Sequence, residues 1–314
     1  MRQRIINNFL LITIGLAVLV AVAMKATIFQ QTPPAKPAAA VDTRFSEYWF
    51  AGKAELNSYR LEQAQYGELN RGTAVLIFVT EDFRTDTQVK SETDASKDRA
   101  IPVLKTNLVR KFTTGIYDYS LFTSVFTPIS NPKFPNTLKV STSGQEWCGH
   151  SYVQLNLKND GYRVNGRSYF EQEANEEYTV KKQLLEDELW NRIRLNPGQL
   201  PTGDVTLIPG TVQGRLRHKR LDPLAAKAQL EAYTGSAFSG NALKAYSVDY
   251  AADGRKLTIV FEDAFPHRIV GWEETYKSKD KLLTSRAVLQ KTILSDYWNH
   301  NAPADSVLRK ELTL

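Results

Sequence analysis

Apolar and polar positions alternate with a period of two through much of the chain, and this pattern predicts strands. In Gly115–Thr127, GIYDYSLFTSVFT, one parity holds Ile116, Asp118, Ser120, Phe122 and Ser124. The other parity holds Tyr117, Tyr119, Leu121, Thr123 and Val125. Neither set is purely polar, so both faces of this strand are expected to be at least partly covered. The segment SYVQLNL (151–157) alternates in the same way. It is followed by Asn159-Asp160-Gly161, a hairpin turn signal, and by the return strand YRVNGRSYF (162–170).

TAVLIF (73–78), Val103–Lys111, Asp204–Ile208, Tyr246–Tyr250, KLTIVF (256–261) and the stretches 268–277 and 282–294 add further strands. Helical chemistry is sparser. Phe45–Gln65 reads as a short helix or a helix leading into a strand, and PLAAKAQLEAY (223–233) is helical by propensity. Leu184, Leu185, Glu188, Leu189, Arg192 and Ile193 fit an amphipathic stripe. The charged stretch Arg84–Ala100 is expected to be an exposed loop. Recurrent hairpin turns favour antiparallel pairing over βαβ units. The expected fold is mainly β (a β-rich α+β class): a large antiparallel meander sheet, or two packed curved sheets, with a few helices.

The N-terminus reads differently. Met-Arg-Gln-Arg precedes a nearly uninterrupted apolar run from Ile5 to Met24. That is about the 20 residues a helix needs to cross the hydrocarbon of a bilayer. Basic residues ahead of an apolar run are an export signature. Two outcomes follow from it. One is a transmembrane helix that anchors the chain, with the domain in the periplasm; the other is cleavage at Ala21-Val22-Ala23 and release of a soluble periplasmic form. The Pro/Ala-rich stretch that follows, QQTPPAKPAAAVD (30–42), reads as a tether. The expected organisation is a membrane segment over 1–29, a linker over 30–44 and an exported domain over 45–314.

Composition narrows the function classes. With 42% hydrophobic and 24% charged residues, the 314-residue chain can build a real core. Its net charge of +6 comes from basic residues interleaved with acidic ones, which argues against a nucleic-acid partner. The single cysteine, Cys148, rules out an intrachain disulfide and makes a cysteine-based zinc site improbable. The four histidines (His150, His218, His267 and His300) are far apart in the sequence, so no metal or cofactor is expected. No common nucleotide, zinc-protease, esterase or calcium motif occurs.

The most distinctive local string is GQEWCGH (144–150). On a strand, Cys148 and His150 would face one side, so that the imidazole could activate the thiol and the Gln145 amide could stabilise an oxyanion. The plainer reading is a small buried thiol, with Gly149 marking a bulge or a close backbone approach. DAFPHRIVGW (263–272) is a second polar–aromatic cluster, either a pocket wall or a loop leading into a strand. RLRHKR (215–220) is the densest basic run, suited to anionic heads or to guarding a sheet edge. Tyr117, Tyr119, Phe122, Phe126, Trp147, Tyr152, Tyr162, Tyr169 and Phe170 are candidates for the lining of an apolar groove or for a core.

YWFAGKAELNSYRLEQAQYGE (48–68), TAVLIFVTEDF (73–83), KFTTGIYDYSLFTSVFTP (111–128) and QEWCGHSYVQLN (145–156) resemble an uncharacterised family of bacterial envelope proteins, chiefly from Bacteroidetes. The resemblance covers most of 45–300. It implies an exported or lipoprotein address, although this chain has no lipobox cysteine. Some members carry the label septum formation inhibitor Maf, which implies a cytoplasmic nucleotide pyrophosphatase with an early Ser-x-Arg-Arg loop. That loop is missing here, so the activity is not carried over. The expected function is a membrane-anchored envelope protein, not an enzyme, that binds a lipid, acyl chain or envelope protein. The alternatives are a Cys–His hydrolase of an envelope substrate and a structural scaffold.

Overall fold

The computed structural model describes residues 43–314, which fall in one compact unit. They form a mixed sheet of 15 strands with a few short helices. The chain opens with helix α1 (Thr43–Trp49) and then enters β1 (Ala54–Gln65). A meander continues through β2 (Glu68–Arg84), β3 (Ala100–Thr114), β4 (Tyr117–Pro128), β5 (Lys139–Glu146), β6 (Gly149–Leu157), β7 (Gly161–Ser168) and β8 (Asn175–Lys181). A second meander runs from β10 (Gly203–Ile208) through β11 (Leu224–Ala232), β12 (Leu243–Tyr250), β13 (Arg255–Glu262), β14 (Ile269–Ser278) and β15 (Lys281–Ser295). The two meanders join where β1 pairs antiparallel with β15. The short strand β9 (Leu184–Leu185) pairs parallel with β10 and ends the sheet opposite β8.

Between the two arms lies a plug built from residues 186–202 and 209–221, the segments on either side of β10. It carries helices α2 (Leu189–Leu195) and α3 (Thr211–Arg217). Leu189, Trp190, Asn191, Ile193 and Arg194 of α2 are all buried, so this helix is enclosed on every side instead of lying on a surface. It touches both meanders. Asn191 bonds the Leu104 carbonyl of β3 (3.0 Å) and the Thr127 hydroxyl of β4 (2.9 Å), while the rings of Trp190 and Trp272 of β14 meet at 6.3 Å. The sheet therefore curls around the plug. Its inner parities, among them Tyr59, Leu76, Phe78, Leu108, Leu121, Tyr246, Ile259 and Trp272, form the main core.

The N-terminal half of the expected fold requires correction. Among the described residues no helix is long and apolar enough to cross a membrane. Each of the three longest helices has seven residues, far below the roughly 20 of a span. The expected span at 5–24 and all but the last two residues of the linker lie outside the described residues. The transmembrane helix, the membrane as a partner and the single-pass placement are therefore withdrawn.

One local expectation also fails. Residues 224–232 form strand β11, not a helix: paired with β10 and β12, they face Ala226, Ala228 and Leu230 toward the core, and pairing overrides alanine's helical propensity.

Candidate functional site

The plug is tied to the sheet by two buried Arg–Glu pairs, and its Gln213 joins a third that links β3 to β14. Arg194 on α2 grips Glu55 of β1 with two bonds of 2.6 Å. Asn57 also donates to Glu55 (2.8 Å), and so does the Tyr48 hydroxyl. Burial pushes Glu55 upward, but Arg194 outweighs it and holds the carboxyl below its usual range. Glu186 pairs with Arg255 of β13 (2.9 Å) and accepts from the Tyr250 hydroxyl (2.6 Å). Glu274 of β14 takes Arg110 of β3 at 2.9 and 3.1 Å and Gln213 of α3 at 2.6 Å. Every one of these carboxylates has a cation and at least one further donor, the condition under which buried charge is tolerated. The network fixes the plug and presents no open face.

At the open end of the curl the basic run takes a different role from either one expected. Arg215 pairs with Glu146 at the end of β5 and with Glu173 (3.4 Å), and His218 Nδ1 lies 2.7 Å from Glu173. Arg217 and Lys219 both pair with Asp253 between β12 and β13. His218 closes α3 in the left-handed region (φ 51°), with its ring against Phe170. RLRHKR is thus a clamp from the plug to both arms. Arg220, at its end, pairs with exposed Asp222 and lies over the Tyr178 ring of the terminal strand β8.

The expected site residues lie on the outer face. Trp147 and Cys148 form the tip of the β5–β6 hairpin, and Gln145 stands directly across from His150. Cys148 is exposed and sits in the turn, so it does not share a strand face with His150. Among the described contacts no hydrogen bond joins its sulfur to an imidazole. Gly149 is needed because a Cβ there would stand 2.5 Å from the Tyr169 ring. The tip borders a shallow hollow of about 430 Å³ that also touches Asp118 and Ser120. Among the described residues no group of His, Cys, Asp and Glu is placed to hold a metal.

Register then reveals a surface that the sequence did not announce. Across β2 to β6, Thr73, Lys111, Ser120, Gln145 and His150 lie in one outward row. The next row is Val75, Val109, Phe122, Ser143, Tyr152 and Arg167. Phe122 and Tyr152 are 38% and 41% exposed, two strands apart, with the small Ser143 between them. A side-chain chain fixes the Tyr152 ring: its hydroxyl donates to Gln154 (2.7 Å), Gln154 to Asn156 (2.6 Å) and Asn156 to Gln88 (2.7 Å). The row begins at a cleft of about 580 Å³ under the C-terminal segment, where Val75, Val109 and Lys111 face Leu308 and Leu312.

The aromatic residues expected to line one apolar groove are divided by parity. Tyr119 and Tyr162 are buried inside, and Phe126 is covered by Phe83 on the outer face at 4.5 Å. Phe122, Trp147, Tyr152 and Tyr169 are exposed. The expected membrane-anchored carrier of a hydrophobic ligand is corrected on both counts: no described helix is long and apolar enough to cross a membrane, and these rings share no groove. The Ser, Asn and Gln rows escaped the sequence reading because they exist only across strands. The one trace was the parity of Ser120, Phe122 and Ser124.

No family model matches the chain, and no curated protein does. Among solved structures, a β-barrel-like protein of the domain of unknown function DUF1849 from Brucella abortus is similar at 11% identity, with a TM-score of 0.44. The match covers 77% of this chain and 97% of that one.

Proposed function

We propose that the protein is a non-catalytic scaffold whose plugged interior is structural and whose outer face over β2–β7 is the working surface. The observation that carries this reading is the division of polar groups. Inside, Glu55, Glu186 and Glu274 are each closed by an arginine and a further donor. Outside, Phe122 and Tyr152 are part-exposed on either side of Ser143, in a row flanked by rows that carry Ser120, Gln145, Ser141 and Gln154. A buried network in which each of these carboxylates is held by an arginine specifies a structure, whereas exposed aromatic residues among convergent polar groups are suited to binding.

The Cys–His hydrolase is the second reading, and it rests on Cys148 and His150 bordering one hollow. Chromosomal substitution separates the two. Under the scaffold reading, Cys148→Ser with His150→Ala keeps the wild-type phenotype, and Phe122→Ala with Tyr152→Ala reproduces the deletion phenotype at normal protein abundance. The opposite pattern would overturn it in favour of the hydrolase.

A further inference from the structure

We infer that the outer face of β2–β7 binds an extended, negatively charged polysaccharide laid across the strands; this rests on the scaffold reading and names its partner class. Three features of the face lead there.

The first is its spacing. Phe122 and Tyr152 are both paired with Ser143, so their strands are two sheet spacings apart, about 10 Å. The small serine leaves a gap between two part-exposed rings. Sugar rings present flat C–H faces that cover such aromatic surfaces, and a chain crossing the strands can meet one platform, bridge the gap and meet the next.

The second is its hydrogen-bonding chemistry. Gln145, His150, Gln154 and Asn165 supply donors and acceptors of both kinds, flanked by Ser120, Ser141 and Ser143. The chain Tyr152–Gln154–Asn156–Gln88 holds the Gln154 amide and the Tyr152 ring in place before any ligand arrives, which lowers the ordering cost of binding. A plain solvated sheet face would carry charges of both signs.

The third is charge. The two rows named above and the next one, Ile77, Asn107, Ser124, Ser141, Gln154 and Asn165, contain no Asp or Glu from β2 to β7. Lys111 is exposed in the first row, and Arg60 of β1 pairs directly with Thr73; neither has a carboxylate partner among the described residues. At the far side of the face, on β7, Arg163 and Arg167 share the single carboxylate of Glu177. The surplus is positive, and it complements a chain bearing uronate, sulfate or phosphate groups.

Affinity electrophoresis of the full chain tests this, with polygalacturonate, dextran sulfate, a neutral β-glucan and single-stranded DNA each cast into the gel. The expected result is retardation by at least one of the two acidic polysaccharides, weakened by salt. Phe122→Ala and Tyr152→Ala should each weaken it about tenfold, the scale of one lost aromatic contact, and Lys111→Ala should weaken it less. Melting curves matching wild type confirm that the variants fold.

Unchanged mobility in both acidic polysaccharides overturns the inference, as does retardation that survives Phe122→Ala with Tyr152→Ala. Equal retardation by DNA also overturns it, as generic attraction to polyanions. If the glycans fail while Phe122→Ala with Tyr152→Ala still reproduces the deletion phenotype, the polysaccharide is wrong and the scaffold reading stands. If that pair leaves the phenotype intact, the scaffold reading itself falls.

Discussion

Arg194 shows what a single buried charge does here. Its guanidinium lies against the touching rings of Trp49 (5.0 Å) and Phe78 (4.7 Å) and spans both oxygens of Glu55. The sequence marks Arg194 only as one more cation at the end of a short amphipathic stretch. Its partner is 139 residues away, beyond the reach of any local pattern.

Asp187, next to Glu186 in the plug, behaves in the opposite sense from Glu55. Burial and the neighbouring Glu186 carboxylate push its pKa up to about 7, despite the Thr211 amide that donates to it (2.9 Å). A carboxyl raised in the folded state binds its proton there when the unfolded chain has already released it. Stability from this group is therefore present at low pH, declines as pH rises from about 4 and is fully lost above about 7. Asp187→Asn keeps an acceptor for Thr211 without the charge. Urea midpoints at pH 5 and pH 8 should show the variant gaining on wild type as pH rises. Because Asp187 retains some solvent contact, the gain at pH 8 should be about 1–3 kcal/mol.

At the scale of elements, the plug–arm clamp is the feature most open to test. Asp253 receives Arg217 and Lys219; burial alone would raise its carboxyl, and the two cations hold it below the usual range. Asp253→Asn should cost about 1–3 kcal/mol, the worth of charge-assisted hydrogen bonds at a partly buried site. Hydrogen exchange should quicken in β12 and β13 and stay unchanged in β5 and β6, where Arg215 still holds Glu146. Equal loosening of both arms would mean that the clamp acts as one unit. Helix and strand choices belong to this scale as well. Alternation made 73–78, 151–157 and 256–261 legible as strands, because one side of each faces core. PLAAKAQLEAY misled because alanine has no side chain to mark a face, and the neighbours β10 and β12 decided its conformation.

For the whole molecule, the decisive contact is β1 with β15, a pairing between residues more than 200 positions apart. It turns two meanders into one sheet and shuts the plug between them. Closure of so long a loop comes late and slows folding. A chain ending at Ser278 lacks β15, leaving β1 and β14 with open inner edges and Tyr59, Leu61 and Trp272 without a wall. It should show no cooperative thermal transition by circular dichroism, whereas the full chain melts in one.

The strand content and the hairpins at Asn159-Asp160-Gly161 and Ala251–Gly254 were set by residue order alone, because each depends on neighbours within a few positions. Only the tertiary structure decided which parity of each strand faces inward, that α2 is enclosed, and that RLRHKR is consumed in ion pairs. It also assembled Phe122, Ser143 and Tyr152 into one row. Register causes this difference: a one-residue slip moves a whole strand's side chains to the other face, and register is a property of paired strands that neither strand's sequence holds by itself.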